Sequence, residues 1–303
     1  MLYRKQHLNR NAVAYQKALN WEKKMNAPLF GIDPETFLIE VEEARTLGKS
    51  LSEDYNDRLP FPYGCYDNFL DASILDGVLA DLDTLPAPEA NFDRPQERFK
   101  ASYSPERLPA HTRKLLYALN SRPVIAFLES LTGIKGLIPD PYFMGGGIHV
   151  VGNGGHLDIH ADFNHHVKMN LERRINVLIY LNKDWKKEYG GSFEIWSDDM
   201  SERVESFEPI FNRMCCFNTG SRSWHGNPEP VNHPGGSTRK SIALYYYTAT
   251  WSDARKAHTT RFQPRPNTAD ITDKKVARHE LVRDLLPPAL YRRIAGGLNK
   301  LGL

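Results

Sequence analysis

The sequence predicts an α+β chain: a helical N-terminal region followed by a mainly β core, an antiparallel sandwich or barrel. Three observations predict it. Up to about Thr132, apolar residues recur at three- and four-residue spacing, the period of a helix face. After Pro141 the chain turns into short segments rich in β-branched and aromatic residues, broken by Gly, Asn and Asp. Those strand-like segments are not interleaved with helical stretches, as a parallel α/β fold would require. No internal repeat is present.

In chain order, helical periodicity is found near 8–24, 34–48, 66–82, 108–119 and 122–132. Pro34 directly after Asp33 predicts a helix start, because proline is preorganised for the first turn. Leu59-Pro60-Phe61-Pro62 and Leu85-Pro86-Ala87-Pro88 predict breaks. No side chain in this part has an evident chemical task, so the region reads as a helical layer bracing a sheet. GGGIHVVGNGG, HLDIHAD, RINVLIYLN, GSFEIWS, RMCCFN and SIALYYYTAT then read as strands and turns. Gly190-Gly191 predicts a turn, after which Glu194 and Trp196 share a face. Asp184, Lys186, Lys187 and Glu188 read as a solvated turn. Beyond about Thr260 the chain becomes basic and helical in pattern again. The expected organisation is a helical region over 1–140, a β core over 141–255 and a helical extension over 256–303.

Composition bounds the partners. The 303 residues are 41% apolar and 25% charged, with a formal net charge of +2 and no block of like charge. That is an ordinary globular balance without the basic stripe that nucleic acid requires. The start, MLYRKQHLNRN, lacks an apolar targeting core. No run approaches the roughly 18 apolar residues of a membrane span. The three cysteines make no disulfide framework, and neighbours Cys215 and Cys216 point to opposite faces of a strand. The expectation is a cytoplasmic protein without nucleic-acid or membrane partners; oligomeric state is not legible.

The stretch GGHLDIHADFNHH carries four histidines among carboxylates and an amide. Residues two apart share a strand face, so His160 and Asp162 converge. The best third partner is His225, in FNTGSRSWHGNPEP, just past another strand-like segment. Two imidazoles and one carboxylate leave open positions on an octahedral metal, as in non-haem Fe(II) oxygenases. A turn histidine or a hydrogen-bonded core histidine is the alternative for each residue alone. Arg239 begins SIALYYYTAT, where its permanent charge demands an anion. A bound dicarboxylic acid and an internal salt bridge both meet that demand. His165 and His166 follow the pair too closely to join it, and one of them is a candidate for the substrate entrance.

Together these pieces resemble the prolyl-4-hydroxylase type of 2-oxoglutarate- and Fe(II)-dependent dioxygenase. The resemblance covers about Gly145 to Tyr247. It rests on GNG at 152–154, His-Ala-Asp at 160–162, IYLNKDW at 179–185, the Gly190-Gly191 pair, His225 and Arg239, in the family's order. It implies a double-stranded β-helix (a jelly roll, cupin-like) with helices before and after it. It implies Fe(II) on His160, Asp162 and His225, with 2-oxoglutarate and O2 as cosubstrates. Arg239 and Tyr180 would bind the far carboxylate of 2-oxoglutarate. Oxidation of that acid to succinate and CO2 would drive hydroxylation of an unactivated C–H; retention of Asp162 disfavours halogenation. Asn164, Trp224 and Tyr245 are candidates for substrate contact or for support of the metal site, Trp224 as a shield against solvent.

Two departures qualify the resemblance. Val150 stands where many relatives place a pocket tyrosine, so that its hydroxyl is replaced by water, by a neighbour such as His149, or not at all. The spacing from His225 to Arg239 is long, which predicts an added loop around VNHPGGST. With the helical annex, these favour a small or medium metabolite as substrate. A peptidyl hydroxylase is the alternative, and a non-catalytic binding module on the same scaffold is an alternative of another class.

Overall fold

Alternation along the strands sorts the interior into two compartments. The structure, a computed structural model, describes residues 27–85, 90–252 and 257–270. On β8 (Leu171–Tyr180), Ile175, Val177 and Ile179 point one way; on β13 (Arg239–Thr248), Ile242, Leu244 and Tyr246 do the same. These six join the helices in the main apolar core. The opposite parity carries Asn176, Leu178 and Tyr180 on β8, and Arg239, Ser241, Ala243 and Tyr245 on β13. That face looks into the barrel, as period-two side chains on a half-apolar strand must.

The helical layer is α1 (Val41–Asp57), α2 (Ala72–Leu82), α3 (Ala110–Leu119) and α4 (Arg122–Thr132). Asp71 caps α2 by accepting from the Ser73 amide. Gly133, at φ +73°, ends α4 in the left-handed region that glycine adopts without strain. Gly48 lets α1 cross α4 closely, since a Cβ there would stand 2.3 Å from the Phe127 carbonyl oxygen.

The β core contains β1 (Tyr63–Tyr66), the hairpin β2 (Ala90–Arg94) and β3 (Glu97–Tyr103), β4 (Ile138–Pro139), β5 (Gly147–Val151), β6 (Leu157–Ala161) and β7 (His165–His166). After β8 come β9 (Phe193–Trp196), β10 (Arg203–Phe207), β11 (Met214–Asn218) and β12 (His225–Asn227), and after β13 comes β14 (Arg261–Phe262). The pairing path among the described residues is β1-β11-β8-β13-β5-β3-β6-β12-β9-β10, with every strand pair along it antiparallel. This is a nearly closed double-stranded β-helix with helices packed on its outer face. Among the described residues, no helix is long and apolar enough to cross a membrane.

Several expectations change. No helix starts at Pro34. The Asp33 carboxylate accepts from the Glu35 and Thr36 amides, which closes a local turn, and Phe37 leaves it at φ +61°. The helix begins at Val41 instead, with Glu42 and Glu43 favourably placed in its first turn. The stretch 66–82 divides: Tyr66 belongs to β1, and the helix starts at Ala72. The β2–β3 hairpin, read as part of a helical region, is sheet. Residues 257–270, expected in a helical extension, include β14 paired to β6. The helical stretch 8–24 and the rest of 256–303 beyond Asp270 lie outside the described residues. Cys216 faces the helix-side core and Cys215 the opposite cluster, as strand parity requires; Cys65 lies across from Cys215 with the sulfurs 3.5 Å apart, and all three are free thiols.

Candidate metal centre and acid pocket

β6 and β12 pair so that His225 lies directly opposite His160. Asp162 follows one residue beyond the end of β6, on the parity of His160. The His160 Nε2 is 3.7 Å from Asp162 Oδ1, and the His225 Nε2 is 3.3 Å from Asp162 Oδ2. One ligand atom from each residue lies within 4.8 Å of the others, the spacing of a shared ion.

The donor set fits a metal in its hydrogen bonding as well. The Nδ1 of His160 sits 2.8 Å from the Asp158 carbonyl, and that of His225 sits 2.7 Å from the Ser223 carbonyl. A carbonyl only accepts, so each Nδ1 carries the proton and each Nε2 presents a lone pair inward. Burial, then the neighbouring His225, pushes the His160 imidazole down to about 4, so it is neutral at physiological pH. Asp162 is anchored by the Asn176 amide (2.6 Å) and the Arg173 guanidinium (3.2 Å). Burial opposes its ionisation, but the Arg173 guanidinium outweighs that and holds its carboxyl well below the usual range. Phe217, with its ring centroid 4.4 Å from that of His225, and Phe262, 5.6 Å from His160, wall the ligands.

Arg239 is 5% exposed, yet among the described residues no carboxylate lies within ion-pair distance of it. Its Nε donates to the Gly191 carbonyl at 2.7 Å and its NH2 to the Tyr180 hydroxyl at 3.5 Å. Burial pulls its pKa down, but a guanidinium keeps its proton. Among the described residues, then, no internal salt bridge of the kind the sequence allowed holds Arg239; a buried cation of this kind fits an incoming carboxylate. Gly191 makes the approach possible: its φ is +67°, and a Cβ there would stand 2.8 Å from Arg239 Cδ.

A cavity of about 210 Å³ joins Arg239 to the three ligand residues. Strand register lays out its floor in rows. Arg239, Val151 and Lys100 align across β13, β5 and β3; Tyr180, Ser241, His149 and Ser102 align one row nearer the metal ligands. His149, not Val150, therefore faces the pocket. Val150 has the opposite parity and packs against the helix-side core. His149 Nε2 donates to the Gly145 carbonyl at 2.9 Å.

The other candidates divide. Tyr245 lines the cavity; its hydroxyl donates to Gly145 and its ring lies 3.6 Å from the Arg173 guanidinium carbon. Trp224 does not shield the ligands. Next to His225 in the chain, it points to the other face and packs with Ile159, Ala161, Trp196 and Met200. Asn164 does not line the cavity: β6 ends before its parity carries that far, and its side chain accepts from the His258 amide at 2.9 Å. His165 stacks on Trp251, and His166 is fully buried beside Asp140; neither lines the cavity. The long loop before Arg239 is tied to the GNG turn through Asn153 and His233.

Sequence reasoning missed Arg173, Glu97, Lys100 and Arg94. The last three stand on the hairpin, inside the region read as mainly helical. The signal was there in part: Phe99, Ala101 and Tyr103 alternate with Arg98, Lys100 and Ser102, and Pro95-Gln96 reads as a turn.

Comparison with known proteins agrees with this geometry. Residues 146–247 match the family model described as 2OG-Fe(II) oxygenase superfamily. The chain has that superfamily's fold with a His-Asp-His facial triad, and so the catalytic machinery of a 2-oxoglutarate/Fe(II) oxygenase. Among solved structures it is similar to a prolyl hydroxylase from Trichoplax adhaerens in complex with a hypoxia inducible factor peptide fragment. That similarity is at 18% identity and TM-score 0.51, over 71% of this chain and 95% of that one. It is also similar to a Pseudomonas putida prolyl-4-hydroxylase (17% identity, TM-score 0.46, 67% and 99% coverage). HygX from Streptomyces hygroscopicus, solved with nickel and 2-oxoglutarate, matches at 11% identity and TM-score 0.48, over 70% and 96% of the two chains. A search of curated proteins gives no match.

Proposed function

We propose that the protein hydroxylates an unactivated C–H of a small or medium metabolite. In this reading His160, Asp162 and His225 hold Fe(II), while Arg239 and the Tyr180 hydroxyl bind the far carboxylate of 2-oxoglutarate. Iron so held supplies the coupled oxidation of 2-oxoglutarate to succinate and CO2 and of the substrate C–H by O2. The chain's residues do the positioning. The Asp158 and Ser223 carbonyls fix both histidine tautomers, and Asn176 and Arg173 fix the carboxylate. The Phe193, Phe217 and Phe262 rings limit water at the ligands.

The observation that carries the metabolite reading is the pairing of β6 beside the metal ligands. A peptide substrate would need a free backbone edge or an open groove there. Among the described residues, β6 is paired on both sides: β12 on one, β14 and the start of β3 on the other. The test is a succinate-release screen over metabolite and peptide libraries with mass detection of products. Turnover of a metabolite with gain of one oxygen is expected. Turnover of peptides alone would replace this reading with a peptidyl hydroxylase; a chlorinated product would refute the assigned chemistry.

A further inference from the structure

The β2–β3 hairpin carries a charged cluster into the cavity. The Glu97 carboxylate is 5% exposed and is gripped from both sides, by Arg94 NH2 at 2.6 Å and Lys100 Nζ at 3.0 Å. One anion between two cations leaves a positive surplus, and both cations line the cavity. Among the described residues that line the cavity, Arg94, Lys100, Arg173 and Arg239 face only Glu97 and Asp162 as carboxylates. Iron and 2-oxoglutarate carry opposite and equal charges, so loading them leaves that surplus in place. Arg173 is already committed to Asp162, and Arg239 to the cosubstrate in the reading above. The uncommitted positive charge is therefore at Arg94 and Lys100.

This locus is separate from the one that Arg239 provides. Lys100 stands two strands from Arg239 in the same row, roughly 10 Å along the sheet. Its surroundings are apolar and aromatic. The Phe92 ring centroid is 5.3 Å from Lys100 Nζ and 5.9 Å from the Arg94 guanidinium carbon. The Phe262 ring lies between that guanidinium, at 5.9 Å, and the metal-ligand imidazole of His160, at 5.6 Å. A molecule with an apolar body along Phe262 and an acid group at Arg94 and Lys100 reaches the metal ligands with its other end.

We infer that the substrate is an organic anion, a carboxylate or phosphate joined to an apolar body, and that Arg94 and Lys100 select it. The inference rests on the oxygenase reading and deepens it. Two cations on an aromatic wall, Lys100 largely buried and Arg94 half-exposed, favour an anion and disfavour an amine by like charge, which is how a charged pocket discriminates. Glu97 has the opposite effect on the ligand: it moderates the surplus and holds the two cations in place.

Binding to protein loaded with Mn(II) and 2-oxoglutarate, which blocks turnover, tests this by calorimetry. The probes are hydrocinnamate, phenylpropyl phosphate, hydrocinnamamide and phenylpropylamine, similar in body and different in charge. Either anion should bind about tenfold more tightly than the amide, and the amine weakest; whichever anion leads identifies the acid group. K100M and R94M should each reduce that preference severalfold. E97Q should increase it, an effect that misfolding cannot produce. Equal binding of anions, amide and amine, or none, overturns the inference, as does weaker anion binding in E97Q. A K100M variant that keeps the anion preference but needs much more 2-oxoglutarate overturns it too, by placing Lys100 in the cosubstrate site. Failure of the oxygenase reading shows separately, as absence of Mn(II)-dependent stabilisation of the unmodified protein by 2-oxoglutarate before any aromatic probe is added.

Discussion

Replacing Arg239 with Leu separates a cosubstrate anchor from a structural arginine, because the two roles predict opposite effects on the unliganded protein. The guanidinium is buried, has a carbonyl and a phenol as neighbours, and has no carboxylate partner among the described residues. A charge in that setting is a desolvation cost to the apo fold, only partly offset by the 2.7 Å bond to Gly191. Losing that neutral acceptor's partner costs about 1 kcal/mol, while removing the buried charge returns a similar or larger amount. The apo protein should therefore unfold at an unchanged or higher denaturant concentration. With 2-oxoglutarate the balance reverses. Loss of a desolvated charge pair costs about 2–5 kcal/mol, so the 2-oxoglutarate requirement should rise at least about 30-fold. R239K should fall between, since an ammonium keeps the charge but not the fork of donors. The assays are urea unfolding of the metal-free protein and thermal melts with Mn(II) across a 2-oxoglutarate titration. A variant that is several kcal/mol less stable without ligand, with an unchanged 2-oxoglutarate requirement, would refute the reasoning and make Arg239 a structural element.

H160A should lose turnover and bind metal far more weakly, read by metal analysis after dialysis; normal metal content with full activity would remove His160 from the centre. N176A, which frees the Asp162 carboxylate from its 2.6 Å anchor, should weaken metal binding by about 10- to 100-fold with little change in apo stability. G48A should destabilise the fold by about 1–3 kcal/mol, because the added methyl meets the Phe127 carbonyl and Ser130 side chain; urea midpoints check it. His149 makes the apo fold acid-sensitive. Burial, then the nearby Lys100 charge, holds its imidazole well below the ordinary 6.5. The unfolded chain then takes up the proton first, so its contribution is complete above pH 6.5 and is lost as pH falls below that value, by at most about 1.4 kcal/mol per pH unit. H149Q should lose less stability than the unmodified protein between pH 7.5 and 5, and an equal loss would assign the sensitivity elsewhere.

Local rules made much of the site legible. Period-two alternation put His160 and Asp162 on one face, put Tyr180 in phase with Asn176 and Leu178, and put Tyr245 in phase with Arg239, and the register agrees. The same rule separated Cys215 from Cys216 and paired Glu194 with Trp196, whose indole donates to it at 2.9 Å. These outcomes depend only on neighbours in one strand, which the sequence contains in full. Parity also has a limited reach: it correctly carries His160 to Asp162 but not on to Asn164, because the strand stops and the chain bends away.

Which strands lie side by side is not a local property. The opposition of His225 and His160 follows from β12 pairing with β6, and nothing within either segment specifies that register. Val150 and His149 are adjacent in the chain, and only the sheet's orientation against the helices decides that the valine joins the apolar core and the histidine meets the pocket. The Asp33-Pro34 turn shows local bonding winning over helical periodicity: three hydrogen bonds to one carboxylate close the chain before a helix can start. The β2–β3 hairpin is decided by its partners, since two short strands gain little stability alone and become sheet when β5 and β6 offer their edges. The metal-ligand types and their strand parity were thus fixed by the order of residues, whereas the lack of a carboxylate at Arg239 among the described residues and the cations facing the cavity come from contacts between segments far apart in the chain.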